Sequence, residues 1–136
     1  MRKHEVRAWG RQIFLVWVML AASGVCKHAL ASTPGPIGQW ARADGGTKID
    51  ITQCGQDYCA VNIWVRDPTG AEKVGDKLVL ALAPTDRPGI LKGRAYDVRR
   101  NMHYTMTMTL TGAHMRTKGC VVFGIICKSA QWNRVD

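Results

Sequence analysis

Apolar and polar residues alternate with a period of two along residues 102–111 of this chain. Methionine, tyrosine and leucine occupy the even-numbered positions, whereas one histidine and four threonines occupy the odd-numbered positions. An alternation of this length is typical of a β-strand with one buried and one solvated face, because successive side chains of a strand point to opposite sides. We therefore predict a strand over Met102–Thr111 whose even-numbered side chains face the core.

Shorter stretches of strand character, separated by turn-forming residues, occur through the rest of the chain after residue 37. No long segment there has the 3.6-residue period of a helix. Besides Met102–Thr111, the predicted strands are Gly38–Arg42, Ile49–Gln53, Val61–Val65, Lys77–Ala83, Ile90–Tyr96, Met115–Val122 and Ile125–Arg134. Eight short strands indicate an all-β sandwich or barrel, and eight strands just close a barrel whose interior is filled or holds one small ligand.

The first 31 residues have a different character. Four basic residues precede an apolar run over Ile13–Ala22, and Ala29-Leu30-Ala31 follows. A basic start, a short apolar centre and an Ala-x-Ala site are the features of a secretory signal peptide. The domain prediction is a cleaved signal peptide over residues 1–31, a flexible leader over 32–37 and one domain over 38–136.

Two other readings of this segment stay open. An uncleaved membrane anchor is disfavoured because the apolar run has ten residues, about half of what a membrane-spanning helix needs. A lipid anchor on Cys26 is disfavoured because Val25 stands where a small residue is expected. We predict a periplasmic or secreted protein without a membrane span after signal cleavage.

Removal of the signal peptide changes the charge. The whole chain has a net charge of +9, and residues 1–31 hold five Lys/Arg and one Asp/Glu. The remainder is therefore +5, from fourteen basic and nine acidic residues. This chain lacks the basic stripe with interleaved aromatic residues that a nucleic-acid partner would require. Weak attraction to anionic envelope surfaces is compatible with this charge.

Four cysteines lie in the exported part, and an oxidising compartment would let them pair. Cys54 and Cys59 flank a candidate hairpin loop. If Phe123-Gly124 is a two-residue turn, Cys120 lies directly opposite Cys127 on paired strands, which is close enough for a disulfide. We predict structural disulfides Cys54–Cys59 and Cys120–Cys127. A redox pair or a metal site would need a Cys-x-x-Cys motif or suitably spaced histidines, and neither occurs.

Six short motifs occur in a fixed order between residues 38 and 135. They are Gly38-Gln39-Trp40, Cys54–Cys59, Gly93–Asp97, Tyr104, Lys118-Gly119 and Trp132-Asn133-Arg134. In order and spacing they resemble the bacterial exported family DUF2147 (domain of unknown function), whose fold is similar to that of lipocalins. The resemblance implies a lipocalin-like or streptavidin-like up-and-down barrel of about eight strands, exported to a Gram-negative envelope and without a settled activity.

The inward face of the 102–111 strand is the main candidate for ligand contact. Methionine is flexible and polarisable and suits adaptable apolar pockets, so Tyr104, Met106 and Met108 are candidate ligand-binding residues. The alternative is that these side chains simply fill the core. A copper(I) site would use methionine and histidine, but the alternation places His103 on the opposite face. We predict no metal site and no cofactor.

Lys128 falls on the predicted interior face of the last strand. A buried lysine needs a partner or must lose its charge. One reading is structural: a bulge turns Lys128 outward, or Lys128 pairs with an acid such as Asp97. The other reading is functional: Lys128 binds an anionic head group at the mouth of a cavity.

Trp40, Trp132 and Arg134 are expected to be structural. Lipocalins carry a Gly-x-Trp on the first strand and a late arginine over that tryptophan, and Trp40 and Arg134 match those roles. An arginine stacked on an indole would close one end of the barrel.

No catalytic arrangement is recognisable, since the exported part has one glutamate and two histidines and lacks nucleophile and phosphate-binding motifs. We predict a non-enzymatic barrel that binds a small hydrophobic or amphipathic molecule in the cell envelope. The alternative is an interaction or inhibitor module with a filled core. An open cavity would favour the first and a solid interior the second.

Overall fold

The computed structural model describes residues 35–135, which form eight β-strands and no helix. The predicted signal peptide, leader residues 32–34 and the last residue lie outside the described residues. No helix able to cross a membrane occurs in the described range. The strands are β1 (Gly38–Arg42), β2 (Thr47–Cys54), β3 (Asp57–Val65), β4 (Lys77–Pro84), β5 (Ile90–Asp97), β6 (Met102–Thr111), β7 (His114–Val121) and β8 (Ile126–Arg134).

Each strand pairs antiparallel with the next, and β8 pairs back with β1 to close the barrel. The closing register places Trp40 opposite Arg134 and Arg42 opposite Trp132. Closure leaves no unpaired sheet edge. The predicted all-β up-and-down barrel is therefore confirmed.

Strand β6 has the bounds that the alternation predicts. Met106, Met108 and Leu110 are buried, whereas the threonines of the strand are half-buried or exposed. Towards the open end the predicted burial is incomplete, since Tyr104 is half-buried and Met102 is exposed. The buried side chains of all eight strands form one core, in which Trp40, Ile51, Leu80, Met108 and Met115 are the largest fully buried apolar side chains.

The two ends of this barrel differ. Connections from odd-numbered to even-numbered strands lie at one end of the barrel. The other connections lie at the opposite end, where the described segment begins at Gly35 and ends at Val135. At the terminal end, which we call the closed end, the Arg134 guanidinium carbon lies 4.2 Å from the centroid of the Trp40 ring. Trp40 Nε1 donates to the Pro36 carbonyl at 2.9 Å, and Arg134 donates to the carbonyls of Gly35 and Ile37, each at 2.8 Å. Residues 35–37 of the predicted leader are thus hydrogen-bonded across this end.

The β7–β8 hairpin has the predicted register, but its two strands end one residue short of the predicted turn. Cys120 lies opposite Cys127, and the two are disulfide-bonded. The strand pairing stops at Val121 and Ile126. The Ile125 amide still donates to the Val122 carbonyl at 3.1 Å, so Phe123 and Gly124 are the central residues of the turn, as the sequence predicts. Val122 and Phe123 have φ angles of 51° and 53°, in the left-handed region that cannot continue a strand. The connection is therefore a four-residue loop.

The β2–β3 hairpin also carries its predicted disulfide, Cys54–Cys59. Its turn is tighter than the sequence suggests, since Cys54 lies opposite Asp57 and Cys59 opposite Thr52. The bond therefore joins diagonal rather than directly opposed positions. One disulfide stabilises the closed end and the other the opposite end, which we call the open end.

Candidate ligand-binding cavity

A cavity of about 1030 Å³ occupies the half of the barrel nearer the open end. Ligand pockets for molecules of drug size typically have ~300–1,000 Å³. Eight-stranded barrels have an interior that side chains can just fill, so the cavity requires an explanation in the sequence.

Small residues at inward-facing positions account for this space. Ala60 on β3, Ala95 on β5, Gly119 on β7 and Ala130 on β8 all line the cavity. A Cβ at position 119 would lie 3.8 Å from the Tyr104 side chain, so there is room for more than glycine. The sequence-based prediction of the ligand site named large side chains and did not include these small residues. Period-two alternation along each strand nevertheless assigns them to the interior.

The floor of the cavity is apolar. Ile51, Leu80, Met106 and Trp132 line it. Trp132 Nε1 donates to the Thr117 hydroxyl at 3.0 Å, so the buried indole nitrogen has a partner. Of the three candidate ligand-binding residues on β6, Tyr104 and Met106 line the cavity, whereas Met108 lies outside the lining and is 1% exposed.

The mouth of the cavity is polar and carries two ion-paired clusters. In the first, Arg42 Nη1 lies 2.7 Å from Glu72 Oε1 and Arg42 Nε lies 2.9 Å from Asp44 Oδ1. The Thr47 hydroxyl donates to Glu72 Oε2 at 2.7 Å. The hydrogen bond from Arg42 is the main reason that the pKa of Glu72 is lowered, against the opposing effect of partial burial. The same contact raises the pKa of Arg42.

The second cluster joins Arg100 to Asp97. Arg100 Nη1 lies 2.6 Å from Asp97 Oδ2, and the Arg100 backbone amide donates to Asp97 Oδ1 at 2.9 Å. This hydrogen bond to Asp97 raises the pKa of Arg100. Arg100 Nη2 also donates to the Ala71 carbonyl at 2.8 Å, which holds the β3–β4 loop at the mouth.

Lys128 lies opposite Gly119 in an unbroken β7–β8 register and lines the cavity. It is exposed at the mouth, so the expected burial of this lysine is wrong. No bulge turns it outward, and Asp97 pairs with Arg100 instead of Lys128. Within residues 35–135, the Lys128 ammonium has no ion pair or hydrogen bond, whereas all three carboxylates that line the cavity are ion-paired.

The histidine and methionine side chains of β6 point to opposite faces. His103 stacks on Tyr96 on the outer surface, with ring centroids 4.7 Å apart, and Met106 faces the interior. Among the described residues, no group of three or more His, Cys, Asp or Glu side chains could hold a metal ion.

The barrel therefore brings Tyr104, Met106, Lys128 and Trp132 to one cavity and leaves Trp40 and Arg134 at the closed end. Sequence reasoning missed Arg42, Glu72 and Arg100. Arg42 and Glu72 are thirty residues apart, and only the barrel closure and the β3–β4 loop bring them together.

Comparison with known proteins gives one result that bears on identity. The sequence profile of DUF2147, described as an uncharacterized protein conserved in bacteria, matches residues 38–134. This range begins with β1 and ends with β8. Comparison with curated proteins and with solved structures gave no match. The profile spans the whole barrel, and we conclude that the chain belongs to the DUF2147 family.

Proposed function

We propose that this protein binds a small amphipathic molecule, with an apolar chain inside the barrel and an anionic head group beside Lys128. The observation that carries the proposal is a cavity of about 1030 Å³ with an apolar floor and one unpaired cation at its mouth. Burial of an apolar chain against Ile51, Leu80 and Met106 would supply most of the affinity, at roughly 25 cal/mol per Å².

The head group follows from the state of the charges at the mouth. Arg42 and Arg100 are already engaged by carboxylates. Lys128 has no such partner in the described part of the chain, so a carboxylate or phosphate would gain a charge-assisted hydrogen bond there. The lining has three basic and three acidic residues, so this attraction is local and adds specificity rather than most of the affinity.

The same contacts support a non-enzymatic role. A general acid or base needs a pKa near the working pH, whereas Arg42 lowers the pKa of Glu72. Asp97 accepts hydrogen bonds from both the guanidinium and the backbone of Arg100. We propose that these carboxylates stabilise the mouth of the cavity.

We place this activity in the cell envelope, outside the cytoplasm. The signal-peptide pattern of residues 1–31 supports export. The two disulfides are compatible with an oxidising compartment. The rival proposal, an interaction module with a filled core, is less well supported because the open half of the barrel is not filled.

The test is native mass spectrometry of protein purified from its own host without detergent. We expect a co-purifying small molecule that is extractable into organic solvent. Gly119→Phe should abolish it by filling the cavity, and Gly119→Ala should retain it because the added Cβ meets only ordinary contacts. Ala130→Leu serves as a second cavity-filling variant if Gly119→Phe melts early. Co-purification of the same molecule with both filled variants would overturn the proposal.

A further inference from the structure

The β7–β8 loop exposes a contiguous apolar surface at the open end. Val122, Phe123, Ile125 and Ile126 are 56%, 102%, 78% and 58% exposed. We call these four residues the apolar tip. Isolated exposed apolar residues are ordinary, but a contiguous group on a projecting loop marks an interaction site.

The backbone fixes the conformation of this loop. The Cys120–Cys127 disulfide closes the base of the hairpin. Val122 and Phe123 both have positive φ, a conformation that is rare for a β-branched or bulky residue and is tolerated chiefly at functional positions. The tip is therefore a constrained feature of the hairpin.

The net positive charge of the barrel lies in the part of the chain that carries the tip. Residues 98–135 contain six Lys/Arg and no Asp/Glu, whereas residues 38–97 contain eight of each. Arg99 and Arg100 are ion-paired. The side chains of Arg116, Lys118 and Lys128 have no ion pair or hydrogen bond within residues 35–135, and all three residues are exposed. Of these three, Lys118 and Lys128 lie nearer the tip, whereas Arg116 lies towards the closed end of β7. The carboxylates that line the mouth, Asp44, Glu72 and Asp97, are ion-paired to arginines, and the two strands of the tip carry no acidic residue.

We propose that the apolar tip docks this protein on an anionic lipid bilayer, with the four apolar side chains at interfacial depth and Lys118 and Lys128 against the head groups. Apolar side chains combined with basic residues are the composition that binds anionic bilayers. A stable protein–protein interface needs about 800 Å² from each partner, which is more than one narrow loop offers. The docking does not depend on what the cavity holds.

Docking would also present the cavity to the bilayer. Ile126 belongs to the apolar tip and, with Val121, lines the cavity. The apolar surface therefore continues from the loop into the barrel, and Lys128 lies two residues further along β8. An amphipathic molecule could pass between bilayer and barrel with its chain on apolar surface.

The test is a flotation assay in which the protein, purified from its own host, is mixed with lipid vesicles. Wild-type protein should float with mixed phosphatidylglycerol–phosphatidylcholine vesicles and much less with phosphatidylcholine alone, and added salt should weaken binding. The double variant Phe123→Asp/Ile125→Asp should bind at least about tenfold more weakly, because aspartate is costly at membrane depth. Its melting curve should be unchanged, since both side chains are exposed.

Val135→Asp is the matched control, because Val135 is an apolar residue that is 50% exposed at the closed end. This variant should bind vesicles like wild type. Gly119→Phe should also bind, which separates docking from cavity occupancy. Wild-type protein that stays unbound, or a tip variant that binds equally well, would overturn the proposal. Concentration-dependent self-association that is lost in the tip variant, without vesicle binding, would identify a protein interface and overturn it too.

Discussion

Gly119 on β7 lies directly opposite Lys128 on β8, and both line the cavity. Because glycine has no side chain, the space beside the lysine is left open instead of being filled from the neighbouring strand. This pairing joins the two properties on which the proposed function depends: an empty interior and an unpaired charge at its mouth.

The role of Lys128 can be measured with a fluorescent fatty acid. Lys128→Met should weaken binding of dansyl-undecanoic acid by about tenfold, the loss expected when one charge-assisted hydrogen bond of ~1.4 kcal/mol is removed. Binding of the methyl ester of the same probe should be unchanged. Lys118→Met is the matched control because Lys118 lies on the outer face. Equal losses for acid and ester would rule out a head-group contact.

Trp40 should contribute to stability without contacting a ligand, since it is fully buried and lies outside the cavity lining. We expect Trp40→Ala to lower the free energy of unfolding by about 3–5 kcal/mol. Trp40→Phe keeps a ring under Arg134 but loses the bond to Pro36, and should cost about 1 kcal/mol. Urea denaturation measures the free energy of unfolding of both variants. An unchanged unfolding curve for Trp40→Ala would contradict a structural role for Trp40 at the closed end.

Gly93 should tolerate no side chain. A Cβ there would lie 2.0 Å from the backbone oxygen of Ala81 on β4, and two paired backbones cannot separate without losing their hydrogen bonds. Gly93→Ala should therefore destabilise the barrel by about 1–3 kcal/mol or more, as overpacking does. Gly119→Ala is the comparison and should melt like wild type. Equal melting temperatures for the two variants would show that the β4–β5 approach is less tight than described.

Glu72 should make the stability depend on pH in a defined direction. Its pKa is lowered in the folded state, so its contribution is present above the unfolded-state pKa of about 4.3 and is lost as pH falls through the folded-state value. Because the side chain is 41% exposed, the contribution is of the order of 0.5 kcal/mol. Glu72→Gln should melt slightly below wild type at neutral pH, and the difference should vanish in acid. A difference that does not change with pH would exclude this ion pair as its source.

Much of the fold follows from local pattern. The alternation along Met102–Thr111 sets one strand, and the recurring turn residues set the number of strands. The Cys120–Cys127 register follows from counting outward from the Phe123-Gly124 turn, even though the strand pairing ends one residue earlier on each side. The positive φ angles of Val122 and Phe123 could not be anticipated, because such residues rarely adopt them.

The site was less accessible from the sequence than the fold. Alternation alone assigns Lys128 to the interior face, but its lack of a partner depends on Asp97 pairing with Arg100. The cavity depends on Ala60, Gly119 and Ala130 meeting inside one closed cross-section, which is a property of the barrel and not of any one strand. The Arg42–Glu72 pair depends on the path of the β3–β4 loop. Residues 66–76 show no regular alternation of apolar and polar positions from which that path could be predicted.

The most direct test of the central claim is a titration of purified protein with dansyl-undecanoic acid, followed by the rise in probe fluorescence. Wild type and Gly119→Ala should bind one equivalent with similar affinity, and Gly119→Phe should not bind while it keeps a cooperative melting transition. Wild-type protein that leaves the probe fluorescence unchanged, or a Gly119→Phe variant that binds as wild type does, would contradict the claim that this barrel holds an amphipathic ligand in its cavity.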